Sequence, residues 1–223
     1  MASPTVQALR VIVPMKPLAD AKSRLWAEVP TKRRESVILL MLDRVVRAAV
    51  EVLGPDACHV VGGDAQVRVV AEAAGAAWRE DPADGLNASL WSAMRSAYRE
   101  GCTATMFLPG DLPLVTAADV RLVDRASEAH TRPAGVAAQR DGGTNALLLP
   151  AVAAFPPELG LDSFARHRAA AERIGTTLAQ VEAPGIAFDL DTEADLTWAL
   201  DHVDGFAANM EDWQQRLTGR SPA

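Results

Sequence analysis

Residues 11–25 read VIVPMKPLADAKSRL, an apolar run that stops at a proline and opens into a cationic loop. Val11, Ile12 and Val13 have the character of a buried strand, and Pro14 marks its end. The loop then places Lys16, Lys22 and Arg24 within nine residues, with Ser23 between the last two. Elsewhere the chain uses arginine for nearly every basic position. Of 22 basic residues only Lys16, Lys22 and Lys32 are lysines. Lysine is a compact point charge on a flexible stem, suited to following a phosphate whose charge moves during reaction. The bland alternative is a solvated basic loop. Neither GxxxxGK[ST] nor GxGxxG is present.

Outward from this stretch, strands and helices alternate. Strand-like runs lie at 10–14, 57–61, 103–108, 134–139 and 145–149. Between them, helices are predicted from their start and stop signals. Thr31 can cap a helix to Leu53, Asp64 one over 65–74, and Asn87 or Asp84 one to Glu100. Thr116 can cap 117–129, Asp162 a helix to about Ile174, and Thr192 a last helix over 193–203. Near-continuous apolar strands between helices predict an α/β three-layer sandwich with a mostly parallel sheet. A chain of 223 residues fits one domain, residues 1–223, with a polar C-terminal tail over about 205–223 that packs loosely or on a partner. In such sheets ligands bind outside the carboxyl ends of the strands.

Composition narrows the partners. A net charge of −7 argues against a broad nucleic-acid surface, so any polyanion site must be local. No apolar run reaches membrane-span length and no signal peptide is evident, which together with two unpaired-looking cysteines, Cys58 and Cys102, leads to an expected cytoplasmic location.

Five strand-end stretches carry candidate chemistry. FLPGDLPL, residues 107–114, puts Asp111 at a strand end in a proline-held turn. FDLDTEADL, residues 188–196, carries Asp189 and Asp191 two apart, on one side of extended chain. Three carboxylates near a cationic loop would suit Mg²⁺ bound to phosphates. Alternatively, Asp111 caps a turn and Asp191 or Thr192 caps the last helix. In DPADGLNASL, residues 81–90, Gly85 allows close backbone approach, and Asn87 can bind a base edge or cap the helix. DGGTNALLL, residues 141–149, presents Thr144 after a tight turn, and LGLDSFARHRAAA, residues 159–171, presents Gly160 and Ser163 at a helix start. Hydroxyls and helix N-terminal amides make an anion site. His167 shares the helix face of Ser163, as a surface or packing histidine in the simpler reading.

Taken together, VPMKPLADAKSRL, DGLNASL, LPGDLPL, DGGTNALLL, LGLDSFARH and FDLDTEADL, in this order from residue 13 to 196, resemble the phosphoenolpyruvate/2-phospho-L-lactate guanylyltransferases of coenzyme F-420 biosynthesis (CofC in archaea, FbiD in bacteria). The resemblance implies a GT-A-like, Rossmann-like nucleotidyltransferase fold. It implies GTP, Mg²⁺ and a phosphorylated three-carbon acid as ligands, and pyrophosphate as a product. By motif, Lys16, Lys22, Ser23 and Arg24 would contact the GTP phosphates, with Lys16, Lys22 and Arg24 as the catalytic cations. Gly85 and Asn87 would lie near the nucleoside, Asp111, Asp189 and Asp191 would hold metal, and Thr144, Gly160 and Ser163 would hold the acid. Gly110 and the Leu161-Asp162 pair depart from the family pattern, which more often has Ala and a smaller Gly-containing pair there. Functional coupling to a downstream transferase acting on the deazaflavin precursor Fo is a further implication. A homodimer is the commonest closed assembly. The Ala- and Arg-rich composition resembles the bacterial branch, which favours phosphoenolpyruvate over 2-phospholactate. Molybdopterin nucleotidyltransferases and GT-A sugar transferases are the rival readings. The first usually open with a Gly-rich loop that this sequence lacks, and the second have no use for a pyrophosphate-receiving KxxxxxKSR loop.

Overall fold

The computed structural model describes residues 8–21, 29–55, 57–82 and 85–218. Seven strands form one sheet in the order β3-β2-β1-β4-β6-β5-β7. The strands are β1 (Leu9–Met15), β2 (Cys58–Gly62), β3 (Ala77–Arg79), β4 (Ala104–Phe107), β5 (Ala134–Ala137), β6 (Thr144–Pro150) and β7 (Ala179–Gln180). Only β6 runs antiparallel to its neighbours β4 and β5. The other pairings are parallel. The mostly parallel sheet read from the sequence is therefore present. The two short strands β3 and β7 are additions, too brief to carry a period.

Pro14 sits inside β1, not after it. It pairs with Val61 of β2, but the ladder with β4 ends at Ile12–Phe107. A residue without an N–H is tolerated where one side of the strand is already free of its partner.

Helices α1 (Thr31–Leu53), α2 (Ala65–Ala73) and α4 (Ala117–Ala126) cover one face of the sheet. Helices α3 (Leu86–Arg99) and α5 (Ser163–Arg173) cover the other, against Ile12, Phe107, Leu147 and Leu149. In β6, Ala146 and Leu148 face the first layer while Leu147 and Leu149 face the second. Side chains alternate along a strand, so a strand covered on both faces reads as an unbroken apolar run. Short α6 (Pro184–Ala187) leads to α7 (Glu193–His202) and α8 (Phe206–Thr218).

The segment expected as a loose tail is α8. Phe206 and Met210 are buried against Val37, Leu40 and Met41 of α1, and Trp213 packs beside them. The spacing 206, 210, 213 is an apolar stripe one helix face wide, which the polar residues between them disguise.

Side-chain caps set the starts of three helices. Asp64 accepts from the amides of Gln66 and Val67, and Thr116 and Thr192 form capping boxes with Asp119 and Asp195. Three predicted caps differ. Pro30, not Thr31, precedes α1. Gly85, at φ +90°, precedes α3, so Asn87 lies inside the helix, and Asp84 is outside the described residues. Asp162 stands at the cap of α5 but in left-handed conformation, φ +53°, without a capping hydrogen bond. Helix α4 stops at Ala126 and not at 129 because Glu128, Ala129 and His130 all have positive φ, with the Ser127 hydroxyl accepting from the His130 amide.

Candidate active site

The strand order reverses direction between β1 and β4, and the carboxyl ends of those two strands diverge into loops. A cavity of about 390 Å³ opens there. Lys16, Ala21, Asp81, Gly85, Ser89 and Asp111 are among its lining residues. It is the crevice that a doubly wound sheet offers a nucleotide.

Each wall is fixed locally. Asp64 does two things at once: one carboxylate oxygen caps α2, and the other accepts from the Leu18 amide at 2.8 Å. That bond holds the start of the cationic loop to the end of β2. Lys16 is exposed in this loop and faces the cavity. Lys22, Ser23 and Arg24 lie outside the described residues. Opposite, the Ser89 hydroxyl donates to Asp81 at the floor of the same crevice. A side chain at Gly110 would put its Cβ 2.4 Å from the Met15 sulfur, so the absence of the family's more common alanine here is matched by a neighbour that fills the space.

The three aspartates converge. The Leu190 amide donates to the Asp111 carbonyl, which ties the 189–191 segment to the β4 loop. Burial, followed by the nearby carboxylates of Asp191 and Asp111, pushes the Asp189 carboxyl up to about 7. Asn145, next to Thr144, opposes this through a hydrogen bond to Asp189, while its amide also donates to the Ile186 and Ala187 carbonyls. Asn145 was missed in the sequence, where it reads as one polar residue at the start of an apolar strand. Asp195 was missed as well. Its carboxylate accepts from the amides of Asp191 and Thr192 and from Arg140, fixing the loop that carries Asp191. Arg140 is held above its usual range by its hydrogen bond to Asp195, with smaller contributions from Asp191 and Asp189.

Among the described residues no group of three or more His, Cys, Asp or Glu side chains is set to hold a metal by itself. Mg²⁺ bound with a nucleotide keeps waters and takes one or two carboxylates together with substrate phosphates. The donor set fits: hard oxygen ligands, with surplus negative charge that shows in the raised Asp189.

At the start of β6 and α5, where the sequence led to an expected acid site, the Thr144 hydroxyl meets Ser163 Oγ and His167 Nδ1, both at 2.9 Å. His167 Nε2 accepts from the Glu158 amide at 2.8 Å. A backbone amide can only donate, so Nε2 carries no proton and Nδ1 is the protonated nitrogen, donating to Thr144. His167 is 1% exposed, and burial followed by the Arg166 charge lowers it to about 4. Of the expected surface or packing histidine the packing alternative holds, and the buried ring is hydrogen-bonded through both nitrogens. Ser163 is wholly buried, and its hydroxyl meets Thr144 instead of facing an open site. The first amides of α5 are also engaged: Ser163 donates to Gly160 and Phe164 to Gly142. Gly160 is exposed at φ +129° in the turn before the helix. Asn87 reaches that turn. Its Oδ1 accepts from the Leu159 amide at 2.8 Å, and its Nδ2 donates to the Leu159 carbonyl at 3.4 Å.

The model of the family described as "Guanylyl transferase CofC like" matches residues 9–216. The chain belongs to this family. The chain is 42% identical over 188 residues to a phosphoenolpyruvate guanylyltransferase of Rubrobacter xylanophilus, covering 83% of this chain and 90% of that one. It is 38% identical over 186 residues to the enzyme of the same name from Chloroflexus aggregans, covering 81% and 91%. Among solved structures, a nucleotide-diphospho-sugar transferase of Desulfovibrio desulfuricans superposes with a TM-score of 0.71 at 14% identity, covering 97% of this chain and all of that one. A nucleotidyl transferase of Methanothermobacter gives 0.60 at 21% identity, covering 90% and 98%. These likenesses place the chain in the Rossmann-like fold of nucleotidyl and nucleotide-diphospho-sugar transferases.

Proposed function

We propose that the chain transfers GMP from GTP to phosphoenolpyruvate, giving enolpyruvoyl-2-diphospho-5'-guanosine and pyrophosphate, in coenzyme F-420 biosynthesis. The observation that carries this reading is one crevice at the ends of β1 and β4 lined by both Lys16 and Asp111, with Asp189 and Asp191 converging on Asp111. The relatives, phosphoenolpyruvate guanylyltransferases, support the choice of acid.

The chemistry asks little of a base. A phosphate oxygen of the acid, already anionic, attacks the α-phosphorus of GTP in line, and the bond to the pyrophosphate oxygen breaks. What the reaction needs is positioning and neutralisation of charge. Lys16 is assigned to the phosphates, where its mobile ammonium follows charge onto the departing pyrophosphate. Lys22, Ser23 and Arg24 are assigned there on the family resemblance alone. Gly85 at the start of α3 lets the nucleoside approach backbone. Asp111, Asp189 and Asp191 would hold Mg²⁺, with Asn145 and Asp195 orienting the last two. When bound, the ion supplies neutralisation at the α-phosphate and the leaving group. Thr144 and the Gly160 turn are assigned to the acid, and Ser163 acts through Thr144. Among the described residues no helix is long and apolar enough to cross a membrane. Coupling to a downstream Fo transferase, a cytoplasmic location and a homodimer belong to the same proposal.

The test is competition between phosphoenolpyruvate and 2-phospholactate at equal concentration with GTP and Mg²⁺, the products resolved by mass. The two acids share their carboxylate and phosphate and differ by a small apolar feature, worth about 1–3 kcal/mol in discrimination. A kcat/KM ratio favouring 2-phospholactate would overturn the choice of acid.

A further inference from the structure

The turn that carries Gly160 is held from several sides. His167 accepts from the Glu158 amide, and Arg166 donates to the carbonyls of Glu158 and Leu161. Both belong to α5, the helix the turn itself leads into. They set the shape of the turn, while the Asp162 and Phe164 amides tie the start of α5 to the carbonyls of Asp141 and Gly142. Asn87 ties the Leu159 side of the turn to the first turn of α3, beside the crevice residues Gly85, Leu86 and Ser89.

The geometry of this pin is particular. A carboxamide has one acceptor oxygen and one two-proton donor nitrogen, and a base edge is read by using them as a pair. Here the pair is already engaged on one residue, with oxygen to the Leu159 amide and nitrogen to the Leu159 carbonyl. The partners fix the orientation, because the reversed amide would set donor against donor and acceptor against acceptor. Reading guanine with this side chain would mean releasing both contacts.

We propose that Asn87 is a positioning residue for the acid side of the site and not a reader of the nucleobase. Through Leu159 it sets the height of the Gly160 turn against α3, so the nucleotide wall and the acid wall keep one spacing. This rests on the reading that the Gly160 turn holds the phospho-acid. The consequence is a split in kinetics: losing the pin loosens the acid, not the nucleotide.

The experiment measures pyrophosphate release by the full chain with GTP, phosphoenolpyruvate and Mg²⁺, varying each substrate in turn. Asn87 is exposed, so Asn87→Ala should fold with an unchanged melting temperature. Its KM for phosphoenolpyruvate should rise about 5- to 10-fold, as expected for two solvent-exposed hydrogen bonds, while its KM for GTP stays within about 2-fold. Asn87→Asp should behave alike, since its second oxygen faces the Leu159 carbonyl. A rise in the GTP KM with weakened preference for GTP over ATP would show that Asn87 reads the base and overturn the inference. Unchanged constants for both substrates would also overturn it. Gly160→Val separates the two layers of the argument. If it leaves the phosphoenolpyruvate KM untouched, the acid-site reading itself fails. If it raises that KM while Asn87→Ala does not, only the role of Asn87 fails.

Discussion

Lowering the pH from 7.5 to 5 should cost this protein about 2 kcal/mol through His167 alone. In the folded chain burial, followed by the Arg166 charge, lowers the imidazole to about 4. In the unfolded chain it returns to about 6.5. The folded value is the lower one, so the stability is fully present above pH 6.5. It is lost as pH falls, when the unfolded chain takes up a proton that the native state refuses. At about 1.36 kcal/mol per pH unit, with rounding near 6.5, the loss by pH 5 is about 2 kcal/mol. For a domain of this size that corresponds to roughly 4–8 °C in melting temperature. His167→Gln provides the comparison. Its amide oxygen can still accept from Glu158, but it cannot titrate and does not reach Thr144. It should be less stable by about 1 kcal/mol at pH 7.5, and the two proteins should converge and cross as pH falls. Thermal unfolding of both, followed by circular dichroism at pH 7.5, 6.5, 5.5 and 5, isolates this group, since every other titrating residue is common to the pair. Parallel melting curves across that range would refute the assignment of a neutral, buried His167.

Asp111→Asn and Asp189→Asn should each lower kcat/KM by about 10²-fold or more, while removing one of three converging carboxylates raises the melting temperature of the metal-free protein; a lowered metal-free melting temperature in Asp189→Asn would contradict the crowding seen at that site. Lys16→Ala should lose a similar factor, and Lys16→Arg should recover only part of it because the wider planar group cannot copy a point charge; steady-state kinetics with GTP varied would show either outcome. Phe206→Ala removes a ring that is wholly buried against α1 and should cost about 3–5 kcal/mol in urea unfolding, whereas a loose tail would tolerate it.

The parts of this molecule that were legible in the sequence are those governed by local rules. Strand β1, the Asp64 cap and the Thr116 and Thr192 caps all depend on near neighbours in the chain, and they stand where the pattern put them. Asp111 could be placed at a strand end because a proline-framed turn follows an apolar run. Its meeting with Asp189 and Asp191 could only be supposed, since 78 positions separate Asp111 from Asp189 and the sheet alone brings them together. What stayed hidden was side-chain destination. Asn87 has the composition of a cap or a base reader, and only the fold reveals Leu159 as its partner. Asn145 and Asp195 look like ordinary polar residues until they are seen bonded to the loop carrying Asp189 and Asp191. Ser163 was read as facing a ligand, yet its hydroxyl is turned inward to Thr144, because α5 leaves that face against the sheet. Helix α8 was misread for the opposite reason. Its stripe is regular, but mean polarity outweighs a period only three turns long.

The most direct test of the central claim is the appearance of pyrophosphate when GTP, Mg²⁺ and phosphoenolpyruvate are mixed with the full chain, with the downstream Fo transferase present to draw off an unstable product. The account predicts pyrophosphate in step with a product that carries the GMP group, and none when GTP, the acid or the metal is left out. Silence with GTP alongside turnover of CTP or of a nucleotide sugar would contradict it.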